Sequence, residues 1–152
     1  MLLIRQAREA DAGQLALIDR LTSATPRSQA QFAINCDSPA EAGRGERALV
    51  LETDDGIGGF SLFSQVLDEA TLLAIAIHPE QQGRGLGRHL LEGVLAKMRG
   101  NGAARCLLEV RQSNAPARAL YTGNGFAVEG VRRNYYPVPD GREDALLMSR
   151  LL

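Results

Sequence analysis

The stretch LEVRQSNAPARALYTGNGF, residues 108–126, predicts a strand that leads directly into a short helix. Side chains alternate along a strand, so Leu107, Glu109 and Arg111 share one face, opposite Leu108 and its alternate neighbours. A glutamate among apolar residues on a central strand is costly unless it is paired or reaches water through a cleft. In a cleft, partial burial would suit Glu109 to act as a base near neutral pH. An ion pair with Arg111, or simple exposure to water, explains the residue equally well.

The second half of this stretch predicts a helix over 114–125. Asn114 is a good helix cap, and Tyr121 lies seven residues later, two turns along the same helical face. A tyrosine in a helix commonly fills the core, and that role remains open here. The pair Asn124-Gly125 supplies a left-handed helix exit, after which Phe126 begins a strand.

A second stretch, HPEQQGRGLGRHLLEGVLAKMRG at residues 78–100, places three glycines at the start of a helix. The apolar run 68–79 predicts a central strand before it, and helical spacing predicts a helix over 85–99. Glycine permits a tight backbone, and free N–H groups with the helix dipole favour an anion. The glycines and the cations among them indicate a diphosphate site: Gly83, Gly85, Gly87, Arg84 and Arg88.

Three glycine patterns compete for this stretch. A P-loop requires a lysine after the glycines, and none follows. A dinucleotide fingerprint requires glycine where Arg88 stands, although Glu109 lies near the expected distance for its acidic residue. The third pattern is Q-x-x-G-x-G, formed by Gln82, Gly85 and Gly87.

Both stretches together resemble the GCN5-related N-acetyltransferase (GNAT) superfamily. The pattern N-x-x-A-x-x-L-Y-x-x-x-G-F follows Q-x-x-G-x-G in the order and spacing of that family, through Asn114, Ala117, Leu120, Tyr121, Gly125 and Phe126. VLDEATL (66–72), residues 107–126 and RRNYYPVPDGREDALLM (132–148) are similar to the RimI-type ribosomal-protein alanine N-acetyltransferases of bacteria. The likeness implies an α/β (α+β) fold with a mixed, mostly antiparallel sheet of six to seven strands and about four helices. In that fold the fourth and fifth strands splay apart.

The resemblance also implies roles for particular residues. Acetyl-CoA would be the cosubstrate and no metal would be needed, with Glu109 the general base and Tyr121 the general acid of a direct attack. Tyr135 and Tyr136 would line the peptide side. The backbone of the fourth strand would pair with pantetheine, the loop amides would hold the pyrophosphate, and Asn114 would contact the cofactor. The implied cofactor residues are Ile75, Ala76, Ile77, Gln82, Gly83, Arg84, Gly85, Leu86, Gly87, Arg88 and Asn114.

The acceptor implied by the likeness is the N-terminal alanine of a small-subunit ribosomal protein, protein eighteen. The N-terminal part departs from the family, since TPRSQAQF (25–32) lacks an aromatic after its proline. His78 and Gln81 also replace commoner residues at the cofactor rim. Other acceptors therefore stay open: a lysine side chain, another protein N-terminus or a small-molecule amine. An acyl-CoA sensor without turnover and an NAD-binding domain remain alternatives from other classes.

Composition limits the classes of protein. The chain has 152 residues and a net charge of −1, which suggests one domain over 1–152. Its two cysteines and two histidines favour neither a disulfide framework nor a zinc site. We expect a cytoplasmic monomer without leader, membrane or nucleic-acid partner. Nine acids against two arginines in residues 37–83 suggest a basic acceptor peptide, with segment 37–69 attracting it.

Periodicity and turn residues predict the remaining elements. Helices are expected at 9–23, with Leu15, Ile18 and Leu21 on one side, and at 26–36, starting at Pro26. Residues 37–46 are expected to form a loop, and 54–56 a turn. Strands are expected at 2–7, 47–53, 57–67, 104–111, 126–136 and 142–151, the last as a possible sheet edge.

Overall fold

The computed structural model describes residues 1–36 and 45–152, so most of the loop expected at 37–46 lies outside the described residues. Seven strands form one sheet in the order β1-β2-β3-β4-β5-β7-β6. Neighbours pair antiparallel except β4 and β5, which are parallel. The strands are β1 Leu3–Gln6, β2 Glu46–Thr53, β3 Gly56–Val66, β4 Glu69–Ile77, β5 Arg105–Arg111, β6 Ala127–Val138 and β7 Gly141–Leu151. This confirms the mixed, mostly antiparallel sheet.

Four α-helices and two single turns of 3-10 helix complete the described fold. The helices are α1 Ala12–Thr22, α2 Gln29–Asn35, α3 Leu86–Gly100 and α4 Ala115–Gly123, and the 3-10 turns are Glu9–Asp11 and Pro79–Gln81. Helix α3 buries the stripe that its spacing predicted: Leu86, Leu90, Leu91, Val94, Leu95 and Met98. None of the helices in the described ranges has the length and apolar character needed to cross a bilayer.

Several boundary predictions were wrong for local reasons. Helix α2 begins after Ser28 rather than at Pro26, because Ser28 and Gln31 cap each other's backbone N–H groups. Strand β7 is not an edge, since it pairs with β5 on one side and β6 on the other. The stripe of α1 continues through Asp19, which is buried, while Leu21 is half exposed. The expected first turn of α1 is instead the 3-10 turn that precedes Ala12.

Two apolar cores lie on the two faces of the sheet. One core packs α3 and α4 against side chains from both halves of the sheet, including Leu72, Cys106 and Val110. The other packs α1 and α2 against β2 and β3, where Phe32 meets Phe60 edge to face at 5.1 Å between ring centroids. Burial of this apolar surface is the main source of stability.

The sheet separates at its centre. Pairing between β4 and β5 begins at Glu69 opposite Arg105 and ends at Leu72 opposite Leu108, although β4 continues to Ile77. At the same level β4 has a bulge, because Leu62 and Phe63 of β3 face Ala74 and Leu72, which leaves Leu73 as the extra residue. The bulge increases the local twist, and a cleft opens between the splayed strands as the family resemblance predicted.

Candidate active site

A cleft of about 880 Å³ lies where β4 and β5 diverge. Its walls come from the connection between α1 and α2, from β4, the start of α3, β5, α4 and one residue of β6. This volume lies within the range of small-molecule and cofactor sites, roughly 300–1,000 Å³. The cleft is therefore large enough for an extended ligand that enters between the two strands.

One wall of the cleft is backbone from β4. Ile75, Ala76 and Ile77 line it, and beyond Leu72 this strand has no paired strand on the side of β5. An unpaired strand edge offers N–H and C=O groups to an extended ligand. Gln82 also lines the cleft, and its Nε2 donates to the carbonyl oxygen of Ile77 at 3.0 Å, which fixes the chain as it leaves the strand.

The glycine loop ends at the N-terminus of α3. Gly83 and Gly85 have φ angles of 80° and 77°, the left-handed region that favours glycine. Gly85 is the residue before the helix and supplies no side-chain cap, so the first N–H groups of α3 are free to bind an anion. A Cβ on Gly87 would lie no closer than 3.8 Å to any other group, so protein packing does not require this glycine. Leu86 and all three glycines line the cleft.

The two arginines of the loop lie apart from the cleft. Arg84 pairs with Asp55 at 3.4 Å, and Arg88 pairs with Glu92 one helical turn away at 3.0 Å. Neither side chain is among the residues that line the cleft. Positive charge at the cleft mouth therefore comes from the helix start rather than from these guanidinium groups.

Helix α4 places two of the predicted residues on the opposite wall. The Oδ1 of Asn114 accepts the backbone N–H of Ala117 at 3.2 Å, which confirms the predicted cap. Tyr121 is buried, lines the cleft and contacts Phe126 edge to face at 5.8 Å between centroids. Burial raises the pKa of Tyr121 to about 12. The hydroxyl therefore stays protonated at neutral pH and is available as a proton donor.

Glu109 lines the cleft from the exposed face of β5. Its Oε1 accepts from Nη1 of Arg132 at 2.9 Å, so the expected partner Arg111 is not the one observed. About 35% of the Glu109 side chain is exposed, so the residue is both paired and open to water through the cleft, as the sequence required of a glutamate on this strand. No helix among the described residues covers this face of β5, because the core formed by α1 and α2 reaches only β2, β3 and β4.

A bulge in β6 builds the far wall of the cleft. Arg132 faces Ala145 and Tyr136 faces Glu143, so three residues of β6 stand opposite one residue of β7. Asn134, within this bulge, has φ of 53° and donates its N–H to Oδ1 of Asp144 at 2.9 Å. Tyr136 lines the cleft, whereas Tyr135 lies outside its lining.

Tyr136 is held by charged neighbours. The guanidinium of Arg111 lies 4.3 Å from its ring centroid, and Arg111 pairs with Glu143 at 3.1 Å. Hydrogen bonds from Ser113 and Arg111 hold the pKa of Glu143 below its usual value. Partial burial, and then the charge of Glu109, raise the pKa of Tyr136. The phenol ring of Tyr136 is therefore uncharged at neutral pH and lies among charged side chains on this wall of the cleft.

The connection between α1 and α2 forms another wall of the cleft, and it includes part of the stretch 25–32 whose departure from the family had left the acceptor open. Thr22, Ser23, Thr25 and Arg27 line the cleft there. Asp19 anchors the connection, because its Oδ2 accepts the backbone N–H of Arg27 at 2.8 Å. The sequence signal that could have indicated this role is Asp19 itself, an acid four residues after Leu15 on the buried stripe of the helix.

Other groups contribute little to the cleft. Burial raises the pKa of the Cys106 thiol to about 12, and alternation places it on the face opposite Glu109. Within the described residues no cluster of His, Cys, Asp and Glu could hold a metal ion. Four acids in the described part of segment 37–69 pair elsewhere, as Glu52 does with Arg5, and none of the acids in that part lines the cleft. The suggestion that this segment attracts the acceptor is therefore unsupported there, and residues 37–44 lie outside the described ranges.

Comparison with known proteins gives consistent matches. The profile of the acetyltransferase (GNAT) family matches residues 14–126. The ribosomal protein bS18-alanine N-acetyltransferase of Escherichia coli is 45% identical over 134 residues, 87% of this chain and 85% of the relative. The enzyme of the same name from Salmonella typhimurium is 48% identical over 108 residues, 70% and 73% of the two chains. The crystal structure of the ribosomal-protein-S18-alanine N-acetyltransferase from Escherichia coli superposes with a TM-score of 0.86 at 39% identity, covering 99% of this chain and 94% of that one.

Proposed function

The chain belongs to the acetyltransferase (GNAT) family, and we propose that it transfers acetyl from acetyl-CoA to the N-terminal alanine of ribosomal protein bS18. One observation carries the chemistry: the open start of α3 and the pair Glu109 and Tyr121 line the same cleft. The acceptor is supported by the relatives, two of which are alanine N-acetyltransferases of bS18. Family membership also argues against the NAD-binding alternative.

Acetyl-CoA fits the cleft in one direction. The amides of residues 83–88 bind the pyrophosphate, since Gly85 leaves the helix start uncapped and Gly87 leaves room beside it. Pantetheine then runs along the free edge of β4 from Ile77 towards Leu73, and Asn114 borders it from α4. This direction brings the thioester towards Glu109 and Tyr121.

The transfer is a direct attack on the thioester. The acceptor ammonium loses a proton to Glu109, directly or through water, and the neutral nitrogen attacks the acetyl carbonyl carbon. The N–C bond forms and the C–S bond breaks, while the hydroxyl of Tyr121 gives its proton to the leaving sulfur. The attacking nitrogen then loses its second proton, which returns Tyr121 to its neutral form and leaves a neutral amide. Cys106 takes no part, because its thiol is buried on the other face of β5.

The free energy of deprotonation at neutral pH favours an α-amine over a lysine side chain as the acceptor. An α-amino group has a pKa of ~7.7–8.0, so deprotonation at pH 7 costs only about 1 kcal/mol. A lysine with a pKa of ~10.4 costs about 4.6 kcal/mol on the same scale. A carboxylate that is partly exposed, as Glu109 is, suffices for the first task and is a poor match for the second.

A peptide assay tests the proposal. The protein is incubated with acetyl-CoA and either an alanine-initiated peptide with arginines behind it or an N-terminally blocked peptide with one lysine. We expect thiol release and a mass gain of one acetyl group with the first peptide alone. Reaction of the second peptide alone would overturn the acceptor and keep the family chemistry. Binding of acetyl-CoA without reaction of either peptide would favour a sensor.

We further propose that the enzyme works as a single-domain monomer in the cytoplasm, where ribosomal proteins are made. A single chain supplies every residue of the proposed site, which agrees with this assembly. Light scattering after size exclusion, with and without acetyl-CoA, measures the assembly directly.

A further inference from the structure

We propose that Arg132 moderates the selectivity of the site for a free ammonium group, because it occupies Glu109 until the acceptor displaces it. The proposal rests on the proposed function, since it takes Glu109 as the site of the acceptor amine. Nη1 of Arg132 lies 2.9 Å from Oε1 of Glu109, at the position that a cationic acceptor nitrogen would take. Without an acceptor, the guanidinium of Arg132 occupies the position proposed for the positive charge of the acceptor.

Among the described residues, Asp19 and Glu109 are the acids that line the cleft. Asp19 is buried, and its Oδ2 accepts a backbone N–H. An ammonium entering the cleft therefore meets Glu109, whose Oε1 already accepts from Arg132. A second cation on the same carboxylate lies close to the guanidinium, and the repulsion between like charges favours displacement of Arg132.

The Arg132 contact is suited to displacement. Half of the Arg132 side chain and about a third of that of Glu109 are exposed, and an exposed ion pair contributes little net free energy. The guanidinium also lies 4.3 Å from the ring centroid of Tyr135, and Tyr135 meets Tyr136 at 4.9 Å. The ring of Tyr135 can keep the displaced guanidinium near the cleft through a cation–π contact.

The bulge in β6 brings the residues of this arrangement closer together. Tyr135 and Asn134 lie in the extra residues between Arg132 and Tyr136, and Asp144 fixes the bulge through the N–H of Asn134. The four residue steps from Arg132 to Tyr136 span the same length as the two from Ala145 to Glu143 of β7. Arg132 and Tyr136 therefore lie near each other beside Glu109.

Transfer of the acetyl group ends the competition. The acceptor enters as an ammonium cation and leaves as a neutral amide, which does not compete with Arg132 for Glu109. The guanidinium then returns to Glu109, as in the protein without an acceptor. A blocked N-terminus lacks the charge from the start, so Arg132 weakens the binding of a free ammonium and leaves the binding of an acetylated peptide unchanged.

The test compares Arg132→Gln with a matched change, Arg133→Gln. Arg133 is exposed on the same bulge, and the described part of the chain records no ion pair for it. In Arg132→Gln we expect the KM for the alanine-initiated peptide to fall about two- to fivefold, the factor that an exposed ion pair contributes. The KM for acetyl-CoA and the inhibition constant of the N-acetylated product peptide should stay unchanged. Arg132→Lys keeps the charge and should stay near the wild-type KM, and Arg133→Gln should match the wild type.

Each outcome separates the two proposals. If the wild-type protein does not acetylate the peptide, the proposed function fails and the role of Arg132 with it. If the wild-type protein is active and Arg132→Gln leaves the peptide KM unchanged or raises it, the selectivity role alone is refuted. Equal shifts in peptide KM and product inhibition would also refute it, because a structural role in the wall would not distinguish the free ammonium from the blocked one.

Discussion

The two sides of the cleft are built from different parts of the chain. The proposed cofactor side consists of the free edge of β4, the glycine loop and the start of α3, and it offers mainly backbone groups. The proposed acceptor side consists of Glu109, Tyr136 and the arginines around them, and it offers side chains held by ion pairs and ring contacts. A backbone site recognises a group that every substrate shares, whereas a side-chain site can be altered one residue at a time.

The first prediction concerns Tyr121, which lies between the proposed cofactor side and the proposed acceptor side of the cleft. Tyr121→Phe should lower kcat by about 10²–10³, within the range that general acids contribute, with both KM values nearly unchanged. Because the pKa of Tyr121 is raised to about 12, the wild-type rate should not decline from ionisation of this group as the pH rises to about 10. Initial rates from pH 6.5 to 10 measure both effects. A variant that keeps wild-type kcat would remove Tyr121 from the chemistry.

Glu109→Gln tests whether the acceptor side acts by taking a proton. We expect kcat/KM to fall about 10–100-fold at pH 7. The loss should shrink at pH 9, because an amine with a pKa of ~7.7–8.0 is then mostly neutral without help. Measurements of kcat/KM against pH for the variant and the wild type check this. An equal loss at both pH values would assign Glu109 to binding rather than to proton transfer.

Gly87→Ala tests whether the pyrophosphate of acetyl-CoA binds close to the backbone at the start of α3. The new methyl group meets no protein atom closer than 3.8 Å, and alanine is the better helix residue by about 1 kcal/mol. We expect the melting temperature to hold or rise while the KM for acetyl-CoA increases about tenfold, since the methyl occupies ligand space. Gly100→Ala, at the far end of α3 with no neighbour within 4 Å, is the control. An unchanged KM would place the pyrophosphate elsewhere.

The smallest effect is expected from the two arginines of the loop. Their side chains pair with Asp55 and Glu92 away from the cleft. Arg84→Gln and Arg88→Gln should each change the KM for acetyl-CoA less than threefold, since exposed pairs and distant charges are weak. Titration of acetyl-CoA at low and high salt measures this. A larger increase, lost at high salt, would show that these side chains turn to the phosphates.

The local structure of the proposed cofactor side could be predicted from the sequence because its signals are local. Glycine spacing, the cap at Asn114 and the apolar stripe of α3 depend on neighbours within a few residues, and the structure has each of them. The positions of the strands along the chain also followed from periodicity. Their order in the sheet did not, and β7, considered a possible edge, lies between β5 and β6, since pairing partners lie far apart in the chain.

The acceptor side was less predictable because its contacts join distant residues. Arg132 and Glu109 meet across β7, because Leu147 pairs with Glu109 on one side and with Gly130 on the other, and nothing local to either residue indicates that pairing. The buried role of Asp19 was likewise missed, since an acid on a helix usually faces water. Whether the predicted cofactor and catalytic residues perform their roles stays a prediction for the variants above.

The separation of β4 from β5 also bears on the lifetime of the protein. Among the described residues, strand pairing joins β4 to β5 at four residue pairs, and backbone bonds from Ala104 and Arg105 to the carbonyl oxygen of Asp68 extend this contact at one end. Beyond it β4 has a free edge with which the pantetheine arm would pair. A ligand at about 100 times its dissociation constant stabilises the folded state by about 2.7 kcal/mol. The population of unfolded chain, and hence its exposure to proteases, would then fall as the acetyl-CoA concentration of the cell rises.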